Sequence, residues 1–231
     1  MERIDVDIVV PVHNEEAYID EFIARVDVLG LREALIFVDN ASTDGTVACI
    51  QRHMGVRLVR HDRNAGYGAS IRDGIASSRA SVIVIIDADL EYPPAAIPEL
   101  LAAVHRHPVV YASRFMGDQP PDMPWIRRFG NSMISGVFNF LFSQTTTDLY
   151  TGMKALRREV TQSLLFTRDG FEHVAEMGVH LAQAGYRIRE ISVSYAPRTR
   201  GVSKMRHMRE TVKYIWFIGV SWFRFRVCRQ K

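Results

Sequence analysis

The sequence predicts an α/β fold, with a mostly parallel central sheet and helices on both faces. Three observations predict it. Short apolar runs alternate with helix-period segments through the first half of the chain. The runs are continuous, as in strands covered on both faces. Several of them end in a polar or acidic cluster, at the edge where such sheets bind ligands. The clearest run is VIVII, residues 82–86, which leads into Asp87-Ala88-Asp89 and is closed by Pro93-Pro94. Side chains at i and i+2 of an extended chain share a side, so Asp87 and Asp89 project together over the sheet edge. Carboxylates held together repel unless a cation lies with them, which points to a divalent metal and ligand phosphates. Taken alone, the same residues also read as an acidic turn closing a strand.

The elements follow in order. Residues 6–12 form the first strand, apolar except for Asp7. His13-Asn14-Glu15-Glu16 open a helix with Phe22, Ile23, Val26 and Leu29 on one face and Gly30 as its stop. Residues 34–38 are a second strand ending at Asp39, and 40–45 (NASTDG) are dense in turn and cap formers. A helix over 46–54 and a short strand over 56–59 come next. A helix opens near residue 65 and ends near Ser78. Its Gly66 and Gly68 match neither phosphate-loop spacing and are read as allowing close helix–sheet packing. The helix 94–107 turns Ile97, Leu100, Leu101 and Val104 inward, and the strand 109–112 runs into Ser113-Arg114. The clusters at 13–16, 39–44, 87–91 and 113–114 therefore converge on one sheet edge.

The second half differs. Residues 118–124 are a Pro-rich loop. In the helix 125–142, Trp125, Phe129, Met133, Val137 and Leu141 repeat every four residues, with Arg127 and Arg128 beside the first turn. So apolar a helix is either buried or lies in a membrane interface. Residues 148–152 (DLYTG) precede a short strand and helix. A helix over 171–184 carries Glu172 and Glu176 one turn apart, 188–195 reads as an outer strand, and 197–204 (PRTRGVSK) is a basic loop. The tail 212–227 is aromatic and apolar, then basic.

Bulk properties bound the possibilities. A chain of 231 residues with 47% hydrophobic and 24% charged residues suits one globular domain with an ample core. Net charge is only +3, but Glu190 and Glu210 are the sole acids after residue 180. That basic end implies an anionic partner. Nucleic acid is excluded because the aromatic residues cluster with apolar ones and do not interleave with the basic ones. Cys49 and Cys228 show neither a disulfide framework nor metal-ligand spacing, which implies a reducing compartment. The N-terminus lacks signal-peptide character, and no apolar run reaches the ~18–20 residues of a spanning helix.

Taken together, PVHNEE, VDNASTDGT, NAGYGASIRDGI, DADLEYPP, SRF, TDLYTGMKALRREV and YAPRTRGVSKM resemble the family-2 glycosyltransferases, in the branch of dolichol-phosphate mannose synthase. The motifs keep the family's order across roughly residues 6–206. The resemblance implies a GT-A nucleotide-sugar fold, with residues 1–210 as the catalytic domain, 119–143 as an acceptor and interface region, and 211–231 as an apolar-basic tail. It implies a nucleotide site at Pro11, His13, Glu15, Asp39, Asp87 and Ala88. Mg²⁺ or Mn²⁺ would be held by Asp87, Asp89 and Glu91. Catalysis would rest on Asp89, Arg114, Arg198 and Lys204, and the acceptor would meet Arg127, Arg128, Ser132, Asp148 and Glu176. Departures from the family pattern are His13 for a usual Tyr, Asn40 for a frequent second acid, Ala41 for a common Gly, and Glu91-Tyr92 for Gln-His. They bear on base and metal preference more than on the reaction.

The resemblance implies inverting transfer of a hexose, mannose from GDP-mannose first, to a polyprenyl or dolichyl phosphate. UDP-glucose or another UDP-sugar is the alternative donor. A phosphate monoester is already mostly a dianion at neutral pH, so this acceptor needs a basic cage and no general base. A hydroxyl acceptor would need a base, for which Asp148 or Glu176 is the candidate. A non-catalytic nucleotide-sugar binder is the third reading. A lipid acceptor places the protein in the cytoplasm, peripheral at the cytosolic membrane face.

Overall fold

The computed structural model describes residues 5–117, 123–162, 164, 166–197 and 207–229. In chain order the elements are β1 (Val6–Val12), α1 (Glu16–Asp27), β2 (Leu35–Asp39), α2 (Thr46–Gln51), β3 (Arg57–Arg60), α3 (Tyr67–Ser77), β4 (Val82–Ile85) and α4 (Ile97–Val104). They continue with β5 (Val109–Ser113), α5 (Trp125–Phe142), β6 (Lys154–Arg157), α6 (Arg158–Gln162), α7 (His173–Gln183), β7 (Arg189–Ser192) and α8 (His207–Arg229). The seven strands form one sheet in the order β3-β2-β1-β4-β6-β5-β7. All run parallel except β6, which is antiparallel to both neighbours.

The strand pleat sorts the core onto two faces. Ile8, Val10 and Val12 join Leu35, Phe37, Val84 and the inner sides of α1 and α4. Val9, Ile36, Val38 and Ile83 face the other way, toward α3, α5, α7 and α8. Full burial of each such side chain contributes about 1.5–3 kcal/mol. Asp7 is tolerated in β1 because Ser78 Oγ donates to it at 2.8 Å and Arg57 pairs with it. Those partners outweigh the cost of its burial and hold its pKa below the ordinary value.

The two alternatives for α5, buried or interfacial, divide the four-residue stripe: Val137 and Leu141 pack against the core. Trp125, Phe129 and Met133 are exposed, while Asn131, Ile134, Ser135 and Phe138 are buried. Their i, i+3, i+4, i+7 spacing is the true inner face, with polar members because part of it walls a cavity. The segment 211–231 falls largely within α8, whose Tyr214 and Ile218 are core residues. Arg198 and Lys204 lie outside the described residues, as do residues 118–122 of the Pro-rich loop.

Candidate active site

The polar clusters do converge. A cavity of about 430 Å³ opens at the carboxyl edge of β1, β2, β4 and β5 and is closed by α5, α7 and α8. This is the edge where α/β sheets bind ligands.

One end of the cavity is formed by Pro11, His13, Glu15, Asn40 and Asn64. The loops after β1 and β2 are tied together. The Asn14 amide donates to Ser42 Oγ (2.9 Å), the Thr43 amide to Asn14 Oδ1 (2.8 Å) and the Glu15 amide to Thr46 Oγ1 (2.8 Å). Asn14 and Ala41 are held left-handed, at φ 56° and 58°. Asp39 does not line the cavity. It is buried and accepts from the Ser42 amide at 3.2 Å, so it shapes the turn while Asn40 takes the lining position. Asn40 is fixed by Asn64 (2.9 Å), the Ala65 amide (2.7 Å) and His61 (3.2 Å). Asn64, which opens the NAGYGASIRDGI motif, was not among the residues expected at the nucleotide.

The middle of the cavity is the DADLE turn. Asp87, Ala88, Asp89 and Glu91 all line it. Tyr67 Oη donates to Asp87 Oδ1 at 3.2 Å, and the Glu91 amide donates to Asp89 Oδ1 at 3.0 Å. Among the described residues no group of three or more His, Cys, Asp or Glu side chains is arranged to hold a metal. Asp87, Asp89 and Glu91 line one wall without being drawn into such a group. Glu91 is hydrogen-bonded instead to Tyr195, whose pKa is pushed up to about 12 by burial and by that carboxylate. Asp87 and Asp89 remain. Two carboxylates suit Mg²⁺ or Mn²⁺, which fill the rest of their shell with water and substrate phosphate.

The Gly66–Gly68 segment packs closely, though not against the sheet. The Gly68 and Ala69 amides donate to Asp169 O at 2.7 and 3.2 Å, and a Cβ on Gly66 or Gly68 would collide with the backbone of 168–170. That contact brings Phe171 over Tyr67, with ring centroids 5.2 Å apart and nearly parallel.

The far wall contains Arg114, Arg127, Asn131, Tyr150, Thr211 and Tyr214. Arg114 is bound by Asp148, Nε to Oδ2 at 2.7 Å and Nη2 to Oδ1 at 3.0 Å. Burial alone would lower the Arg114 pKa, and the carboxylate outweighs it and pushes the pKa up. Asp148 is fully buried and is not a lining residue. Its loop is held by Glu190, which accepts from Thr146 Oγ1, the Thr147 amide and the Asp148 amide. Glu176 is also away from the cavity. It accepts from the Thr167 amide and hydroxyl and the Arg168 amide, and so latches the loop before α7. Arg127 lines the cavity, but Arg128 and Ser132 face a separate groove. Asn131 was missed: its Oδ1 is buried in this wall with no hydrogen-bond partner among the described residues.

A mostly parallel α/β sheet with a polar cavity at its carboxyl edge is the frame of a ligand-binding enzyme. Residues 7–165 match the family described as Glycosyl transferase family 2, and the chain belongs to that family. It is 31% identical over 200 residues to an uncharacterized glycosyltransferase of Mycobacterium bovis, covering 87% of this chain and 89% of that one. It is 29% identical to the dolichyl-phosphate hexose transferase of Haloferax volcanii, covering 84% of each. The dolichol-phosphate mannosyltransferase of Pyrococcus furiosus is 26% identical, covering 87% of this chain and 59% of its own length. Glucosyl-3-phosphoglycerate synthase of Mycobacterium tuberculosis, solved with Mn²⁺, UDP-glucose and phosphoglyceric acid, shares the fold. Its TM-score is 0.71 at 20% identity, covering 94% of this chain and 80% of that one.

Proposed function

We propose that this protein transfers a hexose from a nucleotide sugar to a polyprenyl phosphate, with inversion and without a general base. GDP-mannose is the first donor, in keeping with the similarity to dolichol-phosphate mannosyltransferase. One observation carries the acceptor class. Asp148 and Glu176, the acids a hydroxyl acceptor would have needed, are consumed by structural contacts, whereas Arg127 faces the cavity. A phosphate nucleophile requires a cation there and no base.

Asp87 and Asp89 would hold Mg²⁺ or Mn²⁺, which when bound neutralises the donor diphosphate as a Lewis acid. Tyr67 orients Asp87, and the Glu91 amide orients Asp89. Pro11, His13, Glu15, Asn40 and Asn64 form the pocket for base and ribose. Arg127 and Asn131 draw the acceptor phosphate to the opposite wall, which favours attack from the face away from the nucleotide. Arg198 and Lys204 complete the basic cage in this reading. The last contact described before them is the Glu91 carbonyl, which accepts from the Ala196 amide at 3.2 Å.

The reading includes contact with the cytosolic face of a membrane. No helix among the described residues is long and apolar enough to cross one. Instead, Trp125, Phe129 and Phe140 on α5 and Val212, Trp216, Phe223 and Val227 on α8 are exposed. Arg224 and Arg226 accompany them, the pattern of interfacial helices.

The test is hexose transfer measured with GDP-mannose and UDP-glucose, Mg²⁺, Mn²⁺ or chelator, and polyprenyl phosphate or polyprenol as acceptor. Product is expected only with the phosphate acceptor and metal, falling roughly 10²-fold or more in Asp89→Asn. Equal transfer to the alcohol, or full activity in chelator, would overturn it.

A further inference from the structure

Three bonds converge on Glu91. Its amide donates to Asp89 Oδ1 at 3.0 Å, its carbonyl accepts from the Ala196 amide at 3.2 Å, and its carboxylate accepts from the Tyr195 hydroxyl. Tyr195 is the fixed member of that last bond. Its ring meets Tyr92 edge-on, with centroids 6.4 Å apart at 76°, and the Arg114 guanidinium lies 5.6 Å from its centroid. Arg114 is itself held by Asp148. The chain reaches Glu91 through Leu90, which is left-handed at φ 61°. A left-handed residue breaks the extended alternation that would set positions 87, 89 and 91 on one side. Asp87, Asp89 and Glu91 thus line the same cavity, yet they form no group arranged to hold a metal among the described residues.

That separation has a chemical consequence. A divalent cation on two carboxylates keeps positions in its shell for water and diphosphate oxygens. A third carboxylate would fill part of that shell and repel the incoming anion. We propose that Tyr195 is a positioning residue for the donor: it holds the Glu91 carboxylate off a metal bound at Asp87 and Asp89, and so keeps that metal open to the diphosphate of the nucleotide sugar. Tyr195 acts through Glu91. A hydroxyl bonded to a charged carboxylate is a strong restraint, and the metal must break it to recruit Glu91. The inference rests on the metal reading proposed above and gives a role to a residue outside the acidic pair.

The test is calorimetry on the full chain. Mn²⁺ binding is measured without nucleotide, then GDP and UDP binding to the Mn²⁺-loaded protein, for the wild type, Tyr195→Phe, Glu91→Gln and the double variant. Tyr195→Phe keeps the ring and removes the hydroxyl. It is expected to bind Mn²⁺ about tenfold more tightly and the nucleoside diphosphate more weakly. Against Glu91→Gln, adding Tyr195→Phe should bring no such tightening, because no carboxylate is left to release. A tyrosine that only braces the turn gives the opposite sign, with Mn²⁺ and nucleotide weakened together. Weaker or unchanged Mn²⁺ binding in Tyr195→Phe, or tightening that persists in the double variant, would overturn the proposal while leaving the metal site standing. A wild type that binds no Mn²⁺ overturns both.

Discussion

Arg114 and Asp148 form a two-point ion pair, 2.7 and 3.0 Å, in which every carboxylate oxygen is engaged and the carboxylate has no exposure. The guanidinium also lies 5.6 Å from the ring centroids of both Tyr92 and Tyr195. It therefore forms a fixed part of the cavity wall. Removing one member of such a pair strands the other, at about 3–5 kcal/mol. Asp148→Asn is expected to lower Tm by roughly 10 °C in a chain of this size, in parallel with lost activity. A general base would behave differently, with stability kept and the pH–rate profile altered. Thermal melting beside that profile separates the two, and an unchanged Tm would refute the structural role.

Ala41 illustrates a local cost. Its φ of 58° lies in the left-handed region, where an L side chain costs about 1–2 kcal/mol. Ala41→Gly removes that strain and adds unfolded-state entropy, for a net gain of about 0.5–1 kcal/mol. A Tm rise of a few degrees is expected, with donor affinity unchanged. A fall in Tm would show that the turn is held without strain.

Much of the site was legible because it is local. The strand ends at Pro11, Asp87 and Asp89 announce themselves by apolar runs that stop in polar residues, and the cavity lies there. What was not legible depends on pairing across the chain. Asp148 meets Arg114 from 34 residues away, and Glu176 looks identical in sequence whether it faces a sugar or latches a loop. The reversed direction of β6 leaves no trace in four residues. Which side of α5 faces inward was left open between core and interface, because the buried side includes the polar Asn131 and Ser135 and gives no apolar signal.

Glu176 carries a pH-dependent stabilisation. Burial alone would raise its pKa, but His173 and the Thr167 and Arg168 donors outweigh that and hold it at about 2, against 4.5 for the free group. His173 is itself kept below its ordinary pKa by burial, so near neutrality the contact at 3.7 Å is to an uncharged imidazole. A depressed carboxylate stabilises fully above pH 4.5 and loses that contribution as pH falls toward 2. The gap corresponds to stability on the order of 2–3 kcal/mol. Glu176→Gln is expected to be destabilised at pH 7 and to converge on the wild type near pH 2–3, read from urea unfolding. Because the latched loop delivers Gly170 and Phe171 to the cavity, KM should rise more than kcat falls. A constant stability difference across pH would rule out the ionised latch.

Lys154 has the opposite sign. It sits at the start of the reversed strand, 3% exposed, with its Nζ on Thr151 O and 5.0 Å from the Tyr111 ring centroid. Burial pushes its pKa down to about 8, against the pull of Asp87 and Asp148, while the unfolded chain keeps about 10.5. Between those values the unfolded state binds more protons, so this group makes stability rise with pH. Below pH 8 the folded protein carries the full cost of a buried ammonium. Replacing it by Met removes this titration and leaves every other group's contribution common to both proteins. The unfolding free energy of the wild type minus that of Lys154→Met is therefore expected to climb by about 3 kcal/mol from pH 8 to 10.5. Urea unfolding at a series of pH values measures it directly. A flat or falling difference would mean that Lys154 keeps its ordinary pKa in the fold, and that the acids above it supply all the solvation the ammonium has lost.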